Sequence, residues 1–190
     1  ALDQDGKARI LIWRGLNKAI EGRSSYAPGL GQYDFNIMWS TDTQGYTVKT
    51  NGMQHVRKQF EWIADNFDAM NSKLFLHTGD MVENYDIASQ WEAMSGLYRD
   101  TIEKAKIPYA FTVGNHDVNR YDASKNIFQN YFPVSRLRQN NPYFGESYDD
   151  MTYYYLMEES GAKLMFVGLG IPITQGAVDW VNSALARHPD

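Results

Sequence analysis

Residues 74–80 of the chain, LFLHTGD, join a short apolar run to a Gly-Asp pair. The run is typical of a short buried strand that ends where the polar residues begin. A second stretch of this kind, YAFTVGNHD, occupies residues 109–117. Since ligands bind at the carboxyl ends of parallel strands in open α/β sheets, the two stretches predict a functional edge.

Strands and helices alternate around these two stretches. Phe35, Ile37 and Trp39 alternate with less apolar neighbours and predict a strand that ends at 41–42. Apolar residues at three- and four-residue spacing predict helices over 52–69 and 86–105. Their apolar faces comprise Met53, Val56, Phe60, Ile63 and Phe67 in the first helix, and Ile87, Trp91, Met94, Leu97 and Ile102 in the second. Strand–helix–strand–helix–strand order predicts parallel strands in a layered α/β domain.

The remainder of the chain predicts further elements and an N-terminal segment outside the α/β domain. Residues 126–131 suggest a short helix, 152–157 and 163–169 a β-hairpin, and 177–186 a last helix with Trp180, Val181 and Leu185 on its apolar side. Before the domain, residues 8–13 read as a strand and 15–31 as a loop or linker. We therefore expect 1–32 to be a strand and linker, with the tail of an upstream module as the alternative, and 33–190 to belong to the α/β domain.

Composition excludes several classes of protein. The 190 residues include 9 Phe, 5 Trp and 13 Tyr, far too many aromatic residues for a disordered chain. No apolar run is long enough to cross a bilayer. The net charge of −5 argues against nucleic-acid binding, which needs a basic face. With no cysteine, the chain has no disulfide, thiolate zinc site, iron–sulfur cluster or cysteine nucleophile.

The polar residues that follow the three parallel strands form a candidate metal site. Asp42, Gln44, Asp80, Asn115 and His116 are scattered in sequence but should meet at one sheet edge. Oxygen and imidazole donors without sulfur suit Mn, Fe, Zn or Mg. Two neighbouring carboxylates would also repel one another unless a cation lay between them. The pattern therefore predicts a divalent-metal site.

The strings DTQ at 42–44, GDMVEN at 79–84 and GNHD at 114–117 resemble, in this order and spacing, the first three signature motifs of the calcineurin-like metallophosphoesterases. The resemblance covers residues 35–117 well and the following hairpin and helix loosely. It implies a layered α/β/β/α sandwich. It also implies an enzyme that hydrolyses phosphate mono- or diesters through two divalent ions and a hydroxide that they activate.

The resemblance assigns roles to particular residues. It implies that Asp42 and Gln44 bind the first metal, that Asp80 bridges both metals, and that Asn115 binds the second through its amide oxygen. His116 would act on the substrate phosphate as general acid or stabilise the leaving oxygen, with Asp117 orienting it.

The sequence departs from the family pattern in two respects. Gln44 replaces a histidine that many relatives have, and the family's later histidine motifs, a lone His and a Gly-His-x-His, have no match here. His188 is the one histidine after His116 and matches neither. We therefore expect the chain to be the N-terminal part of a domain truncated at its C-terminus, inactive by itself, and completed by the remainder of the same polypeptide.

Other interpretations stay open. A non-catalytic module of the same fold, used for binding or cell-surface architecture, is the main alternative to the enzyme. A nucleotide-binding α/β domain is disfavoured because no glycine-rich loop follows the first strand. A phosphate-ester small molecule or nucleotide is the expected substrate. The absence of cysteine with many Tyr, Trp and Asn residues favours an extracellular or cell-surface location.

Several further residues have a structural and a functional interpretation. We expect His77 to be packed inside its strand, and His55 and His188 to lie at the surface. Glu83 and Asn84 would serve either a loop or the substrate. Arg120 and Tyr121 could flank a phosphate. The aromatic residues at 143–155 are more typical of sheet packing than of a substrate wall.

Overall fold

The computed structural model of the chain describes residues 34–189. Within this range the first three strands form a parallel sheet in the order β1-β2-β3. Its elements are β1 (Asn36–Ser40), α1 (Gln44–Thr47), α2 (Gly52–Asn66), β2 (Ser72–His77), α3 (Ala88–Tyr98), which continues as a π-helical turn (Arg99–Glu103), and β3 (Tyr109–Phe111). The predicted strand at 8–13 and linker at 15–31 lie outside the described residues.

The second half of the chain forms a separate antiparallel sheet in the order β4-β5-β6. A 3-10 turn (Ala123–Lys125) and two short helices, α4 (Phe128–Tyr131) and α5 (Val134–Asn140), lead into it. The strands are β4 (Phe144–Ser147), β5 (Tyr153–Glu159) and β6 (Ala162–Gly168), and helix α6 (Gln175–Arg187) follows. The predicted hairpin, short helix and last helix are therefore confirmed, whereas α5 and β4 were not predicted.

The two sheets and their helices stack in layers through aromatic contacts. On the helix side of the parallel sheet, the Phe75 ring lies 5.2 Å from Phe60 of α2. Between the sheets, Phe111 of β3 lies 6.3 Å from Tyr153 of β5. On the far side of β5, the ring of Tyr154 lies 5.6 Å from Trp180 of α6. The order helix, parallel sheet, antiparallel sheet, helix confirms the predicted α/β/β/α arrangement.

The predicted apolar faces are largely correct, with two corrections. Ile87 is 42% exposed because it lies just before α3 rather than within it. Leu185 is 48% exposed, since Ala177 and Ala184, seven residues apart on α6, are buried in its place. The inward side of α6 therefore carries the two alanines, and Leu185 falls on the outer side of the helix.

A buried ion pair fastens α5 to the body of the domain. Arg136 lies 2.7 Å from Glu103, and both side chains are largely buried. Arg136 also donates hydrogen bonds to the Ser95 hydroxyl and to the Tyr131 carbonyl. The Tyr109 hydroxyl donates to the same Glu103 carboxylate over 2.7 Å. Shared donors of this kind satisfy the buried carboxylate and hold the helices against β3.

Candidate metal site at the edge of the parallel sheet

The register of the parallel sheet places three strand ends side by side. Ser40 of β1 pairs with His77 of β2, which pairs with Phe111 of β3. The chain segments that follow these residues therefore leave the sheet at one edge. The backbone N–H of Asp42 donates to the carbonyl of Gly79 over 3.2 Å and ties the first two segments together. The structure thus brings together the strand ends that the sequence analysis expected to meet.

Gly114 allows the second and third segments to touch. A Cβ atom on Gly114 would lie 2.1 Å from Asp80 Oδ1 and 2.4 Å from the Asp80 backbone nitrogen. Gly79 adopts a φ of +95°, and a Cβ atom added to it would lie 2.4 Å from the backbone nitrogen of Gly114. Asp42 and Asp80 themselves have φ values of 54° and 53°, in the left-handed region that aspartate tolerates better than most residues. The local backbone is therefore shaped around the Asp80 carboxylate.

The Asp80 carboxylate is held beside the third segment by a hydrogen bond. Its Oδ1 accepts the backbone N–H of His116 over 3.0 Å. Asn115, the residue between Gly114 and His116, is exposed at the same edge. Both expected ligands of the second metal thus come from adjoining pieces of backbone.

His116 is oriented by the segment that follows Asp80. Its Nδ1 lies 3.0 Å from the backbone carbonyl oxygen of Glu83, and 3.8 Å from a carboxylate oxygen of the same residue. A carbonyl oxygen can only accept, so Nδ1 carries the proton and Nε2 is the other, available nitrogen. The hydrogen bond to Glu83 is the main cause that raises the pKa of His116. The protonated imidazole, which can act as an acid through Nε2, is therefore favoured.

Asp117 is buried and organises backbone rather than the imidazole. Its carboxylate accepts the N–H groups of Met81 at 2.8 Å, Val82 at 3.1 Å and Gly114 at 2.9 Å. Burial raises the pKa of Asp117 to about 7, against the opposing effect of these three donors. The resemblance implied that Asp117 orients His116, but the contact to the His116 ring comes from Glu83. Asp117 instead ties the segment after β2 to the segment after β3.

Gln44 contributes a buried oxygen that lacks a partner. Its Oε1 is inaccessible to solvent and makes no hydrogen bond. An unsatisfied buried oxygen is costly unless a ligand or cation engages it. Within residues 34–189 no three His, Cys, Asp or Glu side chains are grouped to hold a metal. The candidate donors are instead two carboxylates and two amides, a set that suits hard divalent ions, so the residues present fit such a metal.

His77, inside the sheet, links the segment that follows β1 to the segment that follows β2. It is fully buried, and its Nδ1 accepts the N–H of Gly79 over 3.3 Å. The proton is therefore on Nε2, which lies 3.3 Å from the Thr43 hydroxyl, and that hydroxyl lies 3.4 Å from the carbonyl of Met81. Burial lowers the pKa of His77 to about 4, so the ring is neutral. The expected packed, structural role of His77 is confirmed.

The remaining candidates are distributed as follows. His55 and His188 are exposed, and His188 lies 3.3 Å from the hydroxyl of Tyr154, on the antiparallel sheet. Arg120 is exposed and stacks over the ring of Tyr121, which is 88% exposed. The aromatic segment at 143–155 packs mainly within the sheets, with Tyr153, Tyr154 and Tyr155 buried, as the sheet-packing interpretation expected.

Two residues near the site were not predicted. Gln90 of α3 is buried, and its Oε1 accepts the backbone N–H groups of both Glu83 and Asn84 at 2.9 Å. Thr47 of α1 donates its hydroxyl to the carbonyl of Gln44 over 2.7 Å. The available signal was the position of Gln90 directly before Trp91, on the apolar face of a helix, where a polar side chain needs a partner.

Comparisons with known proteins agree with this geometry. A family model described as calcineurin-like phosphoesterase matches residues 35–187. The uncharacterized protein YvnB of Bacillus subtilis (strain 168) is 33% identical over 157 residues, which are 82% of this chain and 12% of YvnB. The chain therefore spans a small part of the length of this relative. The family match covers most of the described residues and both halves of the fold, so the chain belongs to the calcineurin-like phosphoesterase family.

Proposed function

We propose that the chain supplies part of a dinuclear metal site for the hydrolysis of phosphate mono- or diesters. The family is one of phosphoesterases and generally uses divalent metals. The observation that carries the proposal is the meeting of three strand ends, at which Asp80 contacts the backbone of the GNHD segment and a buried Gln44 oxygen lacks a partner. Such an arrangement is expected where a cation completes the site.

In this proposal Asp42 and Gln44 would hold one ion, Asn115 would hold the other, and Asp80 would contribute to both. Divalent ions, when bound, would polarise the phosphoryl oxygens and make water a stronger nucleophile at neutral pH. The chain's own residues supply the remaining chemistry. His116, with Nδ1 donating to Glu83, presents Nε2 as the position from which a proton passes to the leaving oxygen.

The electrostatics of His116 suit this role. Its raised pKa keeps more of the imidazole protonated near neutral pH than for an ordinary histidine. A general acid must hold its proton before the leaving group departs, so a raised pKa favours the reaction. The same protonated ring would attract the anionic ester into the site.

We further propose that the isolated chain is inactive and binds metal weakly. Within residues 34–189, His77 is buried against Thr43 and His188 lies at the end of α6 beside Tyr154, so neither reaches the candidate site. The metals would then rest on oxygen donors alone, two of them neutral. We propose that the remainder of the polypeptide supplies the family's later histidines, that residues 1–32 are a strand and linker before the domain, and that the location is extracellular or at the cell surface.

The same donor set favours one alternative. A site with two carboxylates, two amides and no histidine ligand from the described residues would also suit a non-catalytic module that keeps the fold for binding or cell-surface architecture. The two candidates differ in what the complete protein does. A phosphatase would turn over an ester such as a small phosphodiester or a nucleotide, whereas the binding module would not.

Metal binding and turnover test the proposal separately. Titration of the chain with Mn²⁺, followed by electron paramagnetic resonance, should show binding that Asp80→Ala weakens at least about 100-fold, since loss of a direct ligand should exceed the loss of an outer contact. Asp65→Ala removes an exposed carboxylate from α2 and is the matched control. Unchanged binding in Asp80→Ala would contradict the site.

For turnover, the chain with Mn²⁺ should hydrolyse bis-p-nitrophenyl phosphate at a near-background rate. A tenfold or greater drop on changing His116 to Ala would show that the isolated chain is active, against the proposal. Hydrolysis by the complete protein that is abolished in His116→Ala would support the enzyme, whereas metal binding without hydrolysis would support the binding module.

A further inference from the structure

The buried side chain of Gln90 lies at the centre of a small, half-buried network that ends at His116. Its Oε1 accepts two backbone N–H groups, from Glu83 and Asn84, both at 2.9 Å. The Thr47 hydroxyl lies 3.1 Å from the same oxygen and 3.2 Å from the Glu83 nitrogen. A single side-chain oxygen of α3 therefore fixes the turn that follows the Gly-Asp segment.

The peptide bond between Glu83 and Asn84 carries the effect of Gln90 to the site. This bond is planar and trans, so its C=O and its N–H point in opposite directions. Gln90 holds the N–H, which is that of Asn84, on the α3 side. The C=O, which is that of Glu83, then faces the other way and lies 3.0 Å from Nδ1 of His116.

We infer that Gln90 is a positioning residue that sets the tautomer and orientation of His116 through the Glu83–Asn84 peptide. The Asn84 N–H and the Glu83 C=O belong to one rigid unit, so rotation of this unit away from Gln90 would remove the acceptor of the His116 proton. The significance of the inference for catalysis rests on the proposed function, whereas the structural coupling stands without it.

The burial of Gln90 makes the Asn84 N–H depend on this one side chain. Gln90 is 7% exposed, so water does not readily replace its oxygen if the side chain is shortened. The Asn84 N–H would lose its acceptor, and the peptide would turn to satisfy it elsewhere. Thr47 contributes a second acceptor for the Glu83 N–H and links the turn to the carbonyl of Gln44 at the other side of the site.

The test is the tautomer of His116 in the metal-free chain, recorded by long-range ¹H–¹⁵N correlation at a pH where the ring is neutral. The wild type should show His116 with the proton on Nδ1. In Gln90→Met the Nδ1–H form should cease to be the major one, because a histidine released to solvent prefers the proton on Nε2. His77, whose proton is on Nε2, is an internal reference that should not change.

Variants separate positioning from general damage to the fold. Ser95→Ala, in the same helix and equally buried, removes hydrogen bonds to Arg136 and Arg99 and should leave the tautomer of His116 unchanged. Gln90→Glu keeps an oxygen acceptor and should retain the Nδ1–H form. Gln90→Asn withdraws the acceptor by one methylene group, and it should lose this form even if Gln90→Met does not fold.

A folded Gln90→Met or Gln90→Asn variant in which His116 keeps the wild-type Nδ1–H tautomer would overturn the inference. Loss of the Nδ1–H tautomer in Ser95→Ala would overturn it as well. Neither result depends on a bound metal or on turnover. If the wild-type chain did not bind Mn²⁺, that result would contradict the proposed function but not this inference.

Discussion

The two sheets of this domain are built from similar apolar strands but are held together in different ways. At the edge of the parallel sheet, backbone segments touch one another directly, with glycine at 79 and 114 and buried acceptors such as Asp117 between them. In the antiparallel sheet, aromatic side chains fill the space, and the turn at Gly161 has open space around it. The difference indicates that this fold fixes the backbone by close contacts at the candidate site and fills the antiparallel half with side chains.

The largest expected effect comes from forcing the glycine contact apart. Gly114→Ala places a Cβ within 2.1 Å of Asp80 Oδ1, and the neighbouring atoms include backbone that cannot move aside. We expect the free energy of unfolding to fall by about 3 kcal/mol or more and Mn²⁺ binding to be lost. Urea denaturation and a Mn²⁺ titration would measure the two effects.

Gly96→Ala is the control for this change. Gly96 lies in α3, and its added Cβ would meet a flexible arginine end at 3.7 Å. Alanine should raise the free energy of unfolding by about 0.5–1 kcal/mol, because it restricts the unfolded chain and favours the helix. Equal changes in the free energy of unfolding and in Mn²⁺ binding for the two variants would contradict the idea that close backbone contacts build this edge of the sheet.

Much of the parallel half was predictable because its strands are short apolar runs followed by polar residues, and its long helices have a clear period. The strand β4 was not, since Phe144–Ser147 is half-buried without alternation. Helix α5 buries only Leu137 and is anchored by Arg136, a contact between distant parts of the chain. In both cases the deciding interactions come from the tertiary fold.

The location of the site could be predicted from the sequence, but most of the residues that hold its backbone in place could not. The polar ends of the strands followed from the topology of a parallel sheet. The acceptor role of Asp117 was not visible, because its donors at Met81 and Val82 lie about 36 residues earlier in the chain. Gln90 looked like an ordinary helical residue, although it interrupts an apolar face.

The second prediction concerns the two histidines near the site. Burial keeps His77 neutral to about pH 4, whereas an unfolded chain protonates histidine at about pH 6.5. Between these values the unfolded state binds the proton first, so stability falls as the pH falls, by at most about 3 kcal/mol. The opposite shift of His116 means that its own contribution to stability is lost as the pH rises.

Comparison of the wild type with His77→Gln isolates the effect of His77. Asp117, whose pKa is raised to about 7, acts in the opposite sense over about pH 4 to 7, so the difference between the two proteins is the quantity to measure. Denaturation at a series of pH values should show that the free energy of unfolding falls less steeply towards acid pH in the variant than in the wild type. Asp117 is present in both proteins, so its contribution cancels in the difference. Identical pH dependence in the two proteins would show that His77 is not buried as a neutral ring.

The smallest expected effect lies in the antiparallel half. The hydroxyl of Tyr153 is buried and makes no hydrogen bond. Tyr153→Phe removes this unsatisfied group and should raise the free energy of unfolding by about 1 kcal/mol. Tyr109→Phe, which removes a hydroxyl bonded to Glu103, should lower it by a similar or larger amount.

Thermal or urea unfolding of both tyrosine variants would measure this difference. A loss of stability in Tyr153→Phe would mean that the antiparallel half also depends on precise polar contacts. The contrast between the two sheets would then be smaller than the structure indicates.

The central claim is that the ends of three parallel strands form one metal site. A crystal of the chain grown with millimolar Mn²⁺ and measured for anomalous scattering tests it most directly. We expect anomalous density between the side chains of Asp42, Asp80 and Asn115. Anomalous density only at other places, or no density at this edge when Mn²⁺ is saturating, would contradict the claim of one metal site.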